Sequence, residues 1–126
     1  LVLVTGDLAY YHDMNGLLAL SRCGVDATIV LVNNDGGGIF HLLPIEAHET
    51  FDEQFKTPHG LDFAPTSELY GLAFRRVEGH EAFREAFDES VARDGTQVLE
   101  VQFDAAESHA VREDLTARVR EAIATR

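Results

Sequence analysis

Two short apolar runs, separated by about one helix length of chain, constrain the fold of this sequence most strongly. Leu1–Thr5 reads LVLVT, and Ala27–Val32 reads ATIVLV. Both runs are continuous and rich in β-branched residues, which is typical of strands buried on both faces of a parallel sheet. The stretch between them is rich in Leu and Ala and ends at Gly24, so it predicts a helix. The chain therefore opens with a strand–helix–strand unit.

The rest of the chain continues the alternation of helices and strands. Helices are predicted over residues 62–70 and 81–92, and strands over residues 73–77 and 98–103. A last helix is predicted from the regular spacing of Val111, Leu115, Val119 and Ile123. In the second of these helices Phe83, Phe87 and Val91 recur every four positions and are predicted to face the core. Residues 34–61 show no period, and a loop-like segment of that length is often functional. We predict one α/β domain over residues 1–126, a three-layer sandwich with a mainly parallel sheet.

The charge balance excludes two classes of partner. The chain has 22 acidic and 10 basic residues among 126, a formal net charge of −12. Such a surface repels nucleic-acid backbones and anionic lipid headgroups, so neither nucleic acid nor a membrane is expected as a partner. The one cysteine, Cys23, excludes an internal disulfide and agrees with a reducing, cytoplasmic location.

The basic residues are unusual in kind as well as few. Nine are Arg, and Lys56 is the single Lys. A dispersed acidic surface with little Lys favours a salt-adapted, halophilic protein over an ordinary acidic one, because carboxylates keep a protein hydrated. The chain also begins at Leu1, inside an apolar run, with no Met and no signal region before it. It is interpreted as a piece of a longer protein.

Polar and glycine-rich sequence follows both opening strands. Gly6-Asp7 comes after the first strand, and NNDGGG, residues 33–38, comes after the second. Parallel neighbouring strands end at the same edge of a sheet, so Asp7 and Asn34 are expected to meet although 27 positions separate them. A carboxylate, an amide oxygen and a backbone carbonyl form part of the ligand shell of a hard cation such as Mg²⁺. Each motif alone is usually only a turn, and the spacing makes the pair more specific.

Gly6-Asp7 followed by Asn33-Asn34 at this spacing resembles the diphosphate-binding signature of the thiamin-diphosphate-dependent enzymes. Leu8 departs from that signature, whose third position is often Gly. With this departure, NNDGGGIF (residues 33–40) and TPHGLDF (residues 57–63) are similar to one branch of the family, the synthases of the menaquinone pathway. The similarity covers nearly the whole chain but only the C-terminal, diphosphate-binding domain of those enzymes. Upstream domains are therefore expected to be absent from this chain.

The resemblance implies a role for each matching residue. The side chains of Asp7 and Asn34 and the backbone carbonyl of Gly36 would bind Mg²⁺. The residues implied to contact the cofactor are Gly6, Asp7, Leu8, Asn34, Gly36, Gly37, Gly38 and Ile39. Ile39, Phe40 and Leu43 would form an apolar wall beside the cofactor and the bound acyl group, whereas residue type alone favours core positions for these three.

The resemblance also implies a reaction and its partners. The branch consists of transferases that decarboxylate 2-oxoglutarate and add the resulting four-carbon unit to isochorismate. The activating Glu would lie on the pyrimidine-binding domain of a partner subunit in a homo-oligomer, so no catalytic residue is expected here and the isolated chain is expected to be inactive. Two alternatives stay open. The chain could belong to another thiamin-dependent 2-oxo-acid decarboxylase or acetolactate-type ligase, or it could be a non-catalytic stand-alone α/β domain.

Overall fold

The computed structural model describes residues 1–125 and shows helices and strands in alternation. The strands are β1 (Val2–Gly6), β2 (Ala27–Asn33), β3 (Ala73–Val77) and β4 (Thr96–Gln102). The helices are α1 (Asp7–Asp13), α2 (Leu17–Cys23), α3 (Ala64–Tyr70), α4 (His80–Val91) and α5 (Ala105–Ala124). Short 3₁₀ and π turns occupy Gly38–Leu42, Pro44–Ala47 and Asp52–Lys56, within the segment that lacks a period. The predicted alternation of strands and helices is confirmed, except that the single helix predicted between β1 and β2 is divided into α1 and α2 by a 3₁₀ turn at Met14–Gly16.

The four strands form one parallel sheet in the order β1-β2-β4-β3. The two central strands are the most buried, as the continuous apolar run of β2 predicts. In their register Val30 lies beside Leu99, and Leu31 lies beside Glu100. The predicted α/β class with a parallel sheet is therefore confirmed.

Two hydrophobic cores lie on opposite faces of this sheet. The larger core contains Tyr10, Leu17, Ile29, Leu31, Phe63 and Val98. The smaller core contains Val77, Ala86 and Leu99, with Phe83 and Phe87 of α4 packed against them. Consecutive residues of a strand point to opposite faces, so Val98 enters one core and Leu99 the other. Helices thus cover the sheet on both sides, which makes the predicted three layers.

Some predictions about burial are wrong. β1 is an edge strand paired only with β2, and Val2, Leu3 and Val4 are 46%, 50% and 65% exposed, although their apolar run predicts burial on both faces. Val91, predicted to lie in the core, is 57% exposed at the end of α4. An apolar pattern indicates only which face of a strand or helix can be buried. Within residues 1–125, no other part of the chain covers these side chains.

The closing helix α5 also carries an uncovered apolar stripe. Its first turn is capped by Asp104, which accepts a hydrogen bond from the Glu107 amide at 2.8 Å. Val111, Leu115, Val119 and Ile123 are all more than half exposed along its length. Charged residues occupy the other faces of α5, and within the described part of the chain no helix is both long and apolar enough to cross a membrane.

Candidate functional site

Asp7 joins the end of β1 to the loop that follows β2. It is the first residue of α1 and is only 3% exposed. Its Oδ1 accepts a hydrogen bond from the Leu8 amide at 2.8 Å, and its Oδ2 accepts one from the Gly36 amide at 2.9 Å. The structure therefore brings the two glycine-rich motifs together, because β1 and β2 are parallel neighbours.

Two further oxygen atoms lie beside Oδ2 of this carboxylate. The side-chain oxygen of Asn34 lies 2.8 Å from the Gly36 carbonyl oxygen and 3.3 Å from Asp7 Oδ2. None of the three can donate a hydrogen bond. With the amide turned over, its nitrogen would take the same position and donate to both oxygens. If the amide nitrogen faces the two oxygens, its hydrogen bonds hold the three groups together. If the amide oxygen faces them, three acceptors are close together, and a cation between them would offset their repulsion.

The spacing of these oxygens fits a small divalent cation. Mg²⁺ binds oxygen at about 2.1 Å in an octahedron, so neighbouring ligand oxygens lie about 3.0 Å apart. The distances from the Asn34 oxygen to the Gly36 oxygen, 2.8 Å, and to Asp7 Oδ2, 3.3 Å, lie on either side of that value. Among residues 1–125, no three His, Cys, Asp or Glu side chains group in a way that could hold a metal. A cation here would thus depend on the amide and carbonyl oxygens as well as on Asp7.

The glycine loop lies too close to its neighbours for any side chain. A Cβ on Gly36, where φ is +122°, would lie 2.2 Å from the Lys56 carbonyl oxygen, and one on Gly38 would lie 2.3 Å from Nδ2 of Asn34. The Gly37 amide donates to the Lys56 oxygen at 2.7 Å, and the Gly38 amide donates to the Gly36 oxygen at 2.9 Å. These two amides already have acceptors within the protein, so a bound anion would depend mainly on a cation.

Open space adjoins Gly6, the last residue of β1. A Cβ placed on Gly6 would find no atom within 4 Å outside its two chain neighbours, and Leu8 is half-buried. The backbone beside Asp7 is therefore uncovered, although the Asp7 side chain itself is buried.

The predicted apolar wall lies mostly at the surface. Ile39 is 70% exposed and Leu43 is 49% exposed, while the half-buried Phe40 packs edge-on against Phe55. Ile39 and Leu43 are therefore not core residues. Ile39 directly follows Gly38 and lines the same cavity as Asn34, so this apolar side chain lies near the oxygen cluster.

His59 is a site residue to which the sequence analysis assigned no role. Its Nε2 lies 3.1 Å from Asp7 Oδ2, although 52 positions separate the two residues. The TPHGLDF stretch contains His59, so the family resemblance could have marked it. Nothing local in the sequence indicates that its ring reaches Asp7.

The sequence analysis also missed an ion pair between Arg76 and Glu100, of which only Glu100 is buried. Glu100 is fully buried in β4, where Oε1 accepts from Asn33 Nδ2 at 2.8 Å and Oε2 accepts from Arg76 Nε at 2.5 Å. Arg76 also donates to Asp62 at 2.9 Å. The sequence does contain a signal, since a Glu in the middle of the apolar strand VLEV needs a buried partner. Arg76 therefore joins the network under the site, whereas its neighbour Arg75 pairs with Glu89 at the surface.

The charges of this network change the pKa values of two of its members. The hydrogen bonds to Glu100 and then Asp62 raise the pKa of Arg76. The Ala64 amide and then Arg76 hold the pKa of Asp62 below its ordinary value of 3.8. Both shifts favour the charged forms of Arg76 and Asp62.

Acidification is expected to destabilise the fold through Asp62 and Asp104. The pKa of each is lower in the folded chain than the ordinary 3.8; at Asp104 the main cause is the hydrogen bond from the Glu107 amide. Each carboxylate therefore contributes stability above pH 3.8 that is lost as the pH falls through its folded pKa. We expect Tm to fall between about pH 5 and pH 3, as measured by circular dichroism.

Variants that keep the oxygen and remove the charge isolate this effect. Asp62→Asn and Asp104→Asn should each make Tm less dependent on pH in the acid range. Asp88→Asn, at an exposed position on α4, is the matched control and should leave the dependence unchanged. A double Asp62→Asn, Asp104→Asn chain whose Tm falls as steeply as that of the unmodified chain would contradict the prediction.

Comparison with protein families finds a match over most of the chain. The profile described as "Thiamine pyrophosphate enzyme, C-terminal TPP binding domain" matches residues 1–101. A protein from Haloarcula marismortui named 2-succinyl-5-enolpyruvyl-6-hydroxy-3-cyclohexene-1-carboxylate synthase is 71% identical over 124 residues, which is 98% of this chain. The protein of the same name from Natronomonas pharaonis is 64% identical over 112 residues, or 89% of the chain. Both organisms are halophiles, as the acidic, lysine-poor composition predicts.

The chain spans only about a fifth of these relatives, 21% and 19% of their lengths. Among solved structures, the benzoylformate decarboxylase from Polynucleobacter necessarius superposes with a TM-score of 0.72 at 22% identity, over 82% of this chain and 19% of that one. The thiamine diphosphate-dependent 4-hydroxybenzoylformate decarboxylase from Rhodococcus jostii gives 0.69 at 23% identity, with the same coverage. At such identities these two structures show a shared fold alone.

Proposed function

Because the chain belongs to the thiamine pyrophosphate enzyme family as a C-terminal TPP-binding domain, we propose that it binds the diphosphate of thiamin diphosphate through Mg²⁺. The proposal extends to the whole protein, a synthase that decarboxylates 2-oxoglutarate and adds the resulting unit to isochorismate. This reaction is the one implied by the resemblance to the menaquinone-pathway synthases. The named relatives, at 71% and 64% identity, support it.

The observation that carries the metal site is the convergence of three acceptor oxygens. With the amide oxygen of Asn34 facing the site, this oxygen lies 2.8 Å from the Gly36 carbonyl oxygen and 3.3 Å from Asp7 Oδ2. Their spacing suits an octahedral cation, and the remaining positions of the shell would go to diphosphate oxygens and water. The residues present thus fit the ion that the family resemblance implies.

The negative charge of the chain also supports a cation at this site. The net charge of −12 opposes the approach of a diphosphate, and the nearby Gly37 and Gly38 amides are already paired. Mg²⁺ beside Asp7 would make the site locally positive, which is how such ions commonly join proteins to phosphates.

The exposed apolar side chains beside the metal site suit the cofactor's reactive ring. Ile39, Phe40 and Leu43 would exclude water from one side of the ring and of the bound acyl group. When bound, thiamin diphosphate supplies the electron sink for decarboxylation. This chain would bind and orient the cofactor, and the activating Glu would come from the pyrimidine-binding domain of a partner subunit.

Product analysis of the complete protein tests this function. We expect the complete protein, with thiamin diphosphate and Mg²⁺, to convert 2-oxoglutarate and isochorismate to the adduct with release of CO₂, detected by mass spectrometry. The 126-residue chain alone should form no product, because it would supply only part of the active site. Turnover of pyruvate to acetolactate instead would favour the ligase alternative. Absence of both turnover and cofactor binding would favour a stand-alone domain.

A further inference from the structure

His59 contacts the carboxylate that would bind the cation. Its Nε2 lies 3.1 Å from Oδ2 of Asp7, and its side chain is 12% exposed. The ring packs edge-on against the buried Phe63, with centroids 5.6 Å apart. The contact is therefore made by a ring enclosed in protein, unlike a contact between mobile surface side chains.

The hydrogen bonds of the ring determine which nitrogen carries the proton. The Leu61 amide donates to Nδ1 of His59 at 3.0 Å, so Nδ1 is an acceptor and the proton of the neutral ring is on Nε2. Oδ1 of Asp35 also lies 3.3 Å from Nδ1, but no hydrogen bond joins the two atoms, because the lone pair of Nδ1 already accepts from the Leu61 amide. Nε2–H accordingly donates to Asp7.

Asp35 fixes the backbone that carries His59. Its Oδ1 accepts from the His59 amide at 3.0 Å and from the Gly60 amide at 2.7 Å. Asp35 has a positive φ of 59°, a conformation that Asp adopts more readily than most residues. The loop after β2 and residues 57–63 are thus joined directly beside the oxygen cluster.

We propose that His59 is a positioning residue for the metal site, which holds the Asp7 carboxylate in the orientation that binds the cation. The inference rests on the proposed function. Asp7 Oδ1 accepts from the Leu8 amide, and Oδ2 accepts from the Gly36 amide and from His59. The first two donors are backbone groups, and His59 is the side chain that completes the set. Such outer partners orient a metal ligand before the metal arrives.

The test measures binding of Mg²⁺ to the complete protein at saturating thiamin diphosphate, by calorimetry. His59→Ala is expected to weaken Mg²⁺ binding by roughly 10–100-fold, the usual effect of losing a partner of a metal ligand. His59→Gln should restore affinity to within about threefold, since the Gln amide nitrogen can replace Nε2–H as the donor. Rescue by Gln separates positioning from simple loss of packing.

Two further comparisons make the test specific. His48→Ala removes an exposed histidine that bonds Thr50, and it should leave Mg²⁺ binding unchanged. Asp35→Gly removes the carboxylate that holds the His59 and Gly60 amides, although Gly tolerates the positive φ, and it should weaken Mg²⁺ binding. Asp35→Asn keeps an acceptor oxygen and also tolerates this φ, so it should leave Mg²⁺ binding unchanged. Tm without ligand is measured for every variant.

The inference would be wrong if His59→Ala bound Mg²⁺ as tightly as the unmodified protein, or more tightly. It would also be wrong if His59→Gln bound Mg²⁺ as weakly as His59→Ala. Tighter binding would mean that His59 competes with the cation for Asp7. Asp7→Asn serves as the reference: if it loses Mg²⁺ binding and His59→Ala does not, only the positioning role fails. If Asp7→Asn still binds normally, the proposed metal site fails.

Discussion

Replacing Asp7 by Asn is expected to lower the affinity of the complete protein for thiamin diphosphate with Mg²⁺ by at least about 100-fold, more than the loss of an outer partner costs. The substitution keeps the shape of the side chain and removes the negative charge from the proposed metal site. It also replaces one acceptor oxygen by an amide nitrogen, which cannot bind a cation. Calorimetric titration with the cofactor at fixed Mg²⁺ measures the change.

Variants at Asn34 test the same site and the orientation of its amide. Asn34→Ala removes the oxygen and should weaken binding strongly, whereas Asn34→Asp keeps an oxygen at that position and should retain binding. Asp88→Asn makes the same charge change on α4 and should have no effect. Unchanged cofactor affinity in Asp7→Asn or Asn34→Ala would refute the metal site. A strong loss in Asn34→Asp would instead indicate that the amide nitrogen faces Asp7.

Replacing Arg76 by Met is expected to lower the free energy of unfolding by about 3 kcal/mol. Removing one partner of a buried ion pair usually costs about 3–5 kcal/mol, because the other charge is left buried without compensation. The low end applies here, since the Arg76 side chain is 39% exposed and Asn33 still donates to Glu100. Urea denaturation of the 126-residue chain at fixed salt concentration measures the change.

Arg75 provides a matched control one residue away. Its partner, Glu89, is exposed, so Arg75→Met should cost less than about 1 kcal/mol. The double variant Arg76→Met, Glu100→Gln removes the stranded charge while keeping an acceptor for Asn33, and it should recover most of the loss. If the Arg76→Met chain were no less stable than the Arg75→Met chain, the prediction would be wrong, because the buried Glu100 would then not depend on the positive charge of Arg76 for stability.

The fold was largely predictable because its strongest signals are local. The continuous apolar run of β2, the periodic apolar residues of α4 and the glycines that end helices each report on nearby residues in the chain. The meeting of Asp7 with Asn34 was also predictable. Parallel neighbouring strands joined by one helix always end at the same edge of a sheet, so the spacing of the two motifs is sufficient.

Burial at the periphery was not predictable from the same patterns. Leu3 in β1 and Leu115 in α5 have apolar neighbours at the proper spacing, yet both are at least half exposed. Periodicity identifies a face that can be buried, and the order of strands decides whether anything packs against it. β1 is at the edge of the sheet, whereas the equally apolar β2 is central.

The residues that support the site depend entirely on the tertiary structure. His59 reaches Asp7 across 52 positions, Glu100 reaches Asn33 across 67, and Arg76 reaches Glu100 across 24. No local pattern encodes these contacts, because each depends on how the sheet and the segment between β2 and α3 bring distant backbone together. The amino-acid order alone thus indicates the family and predicts that Asp7 and Asn34 meet, because the two motifs flank one strand-to-strand crossover. Which distant side chains surround them is decided only when the strands pair and the segment between β2 and α3 folds over the sheet.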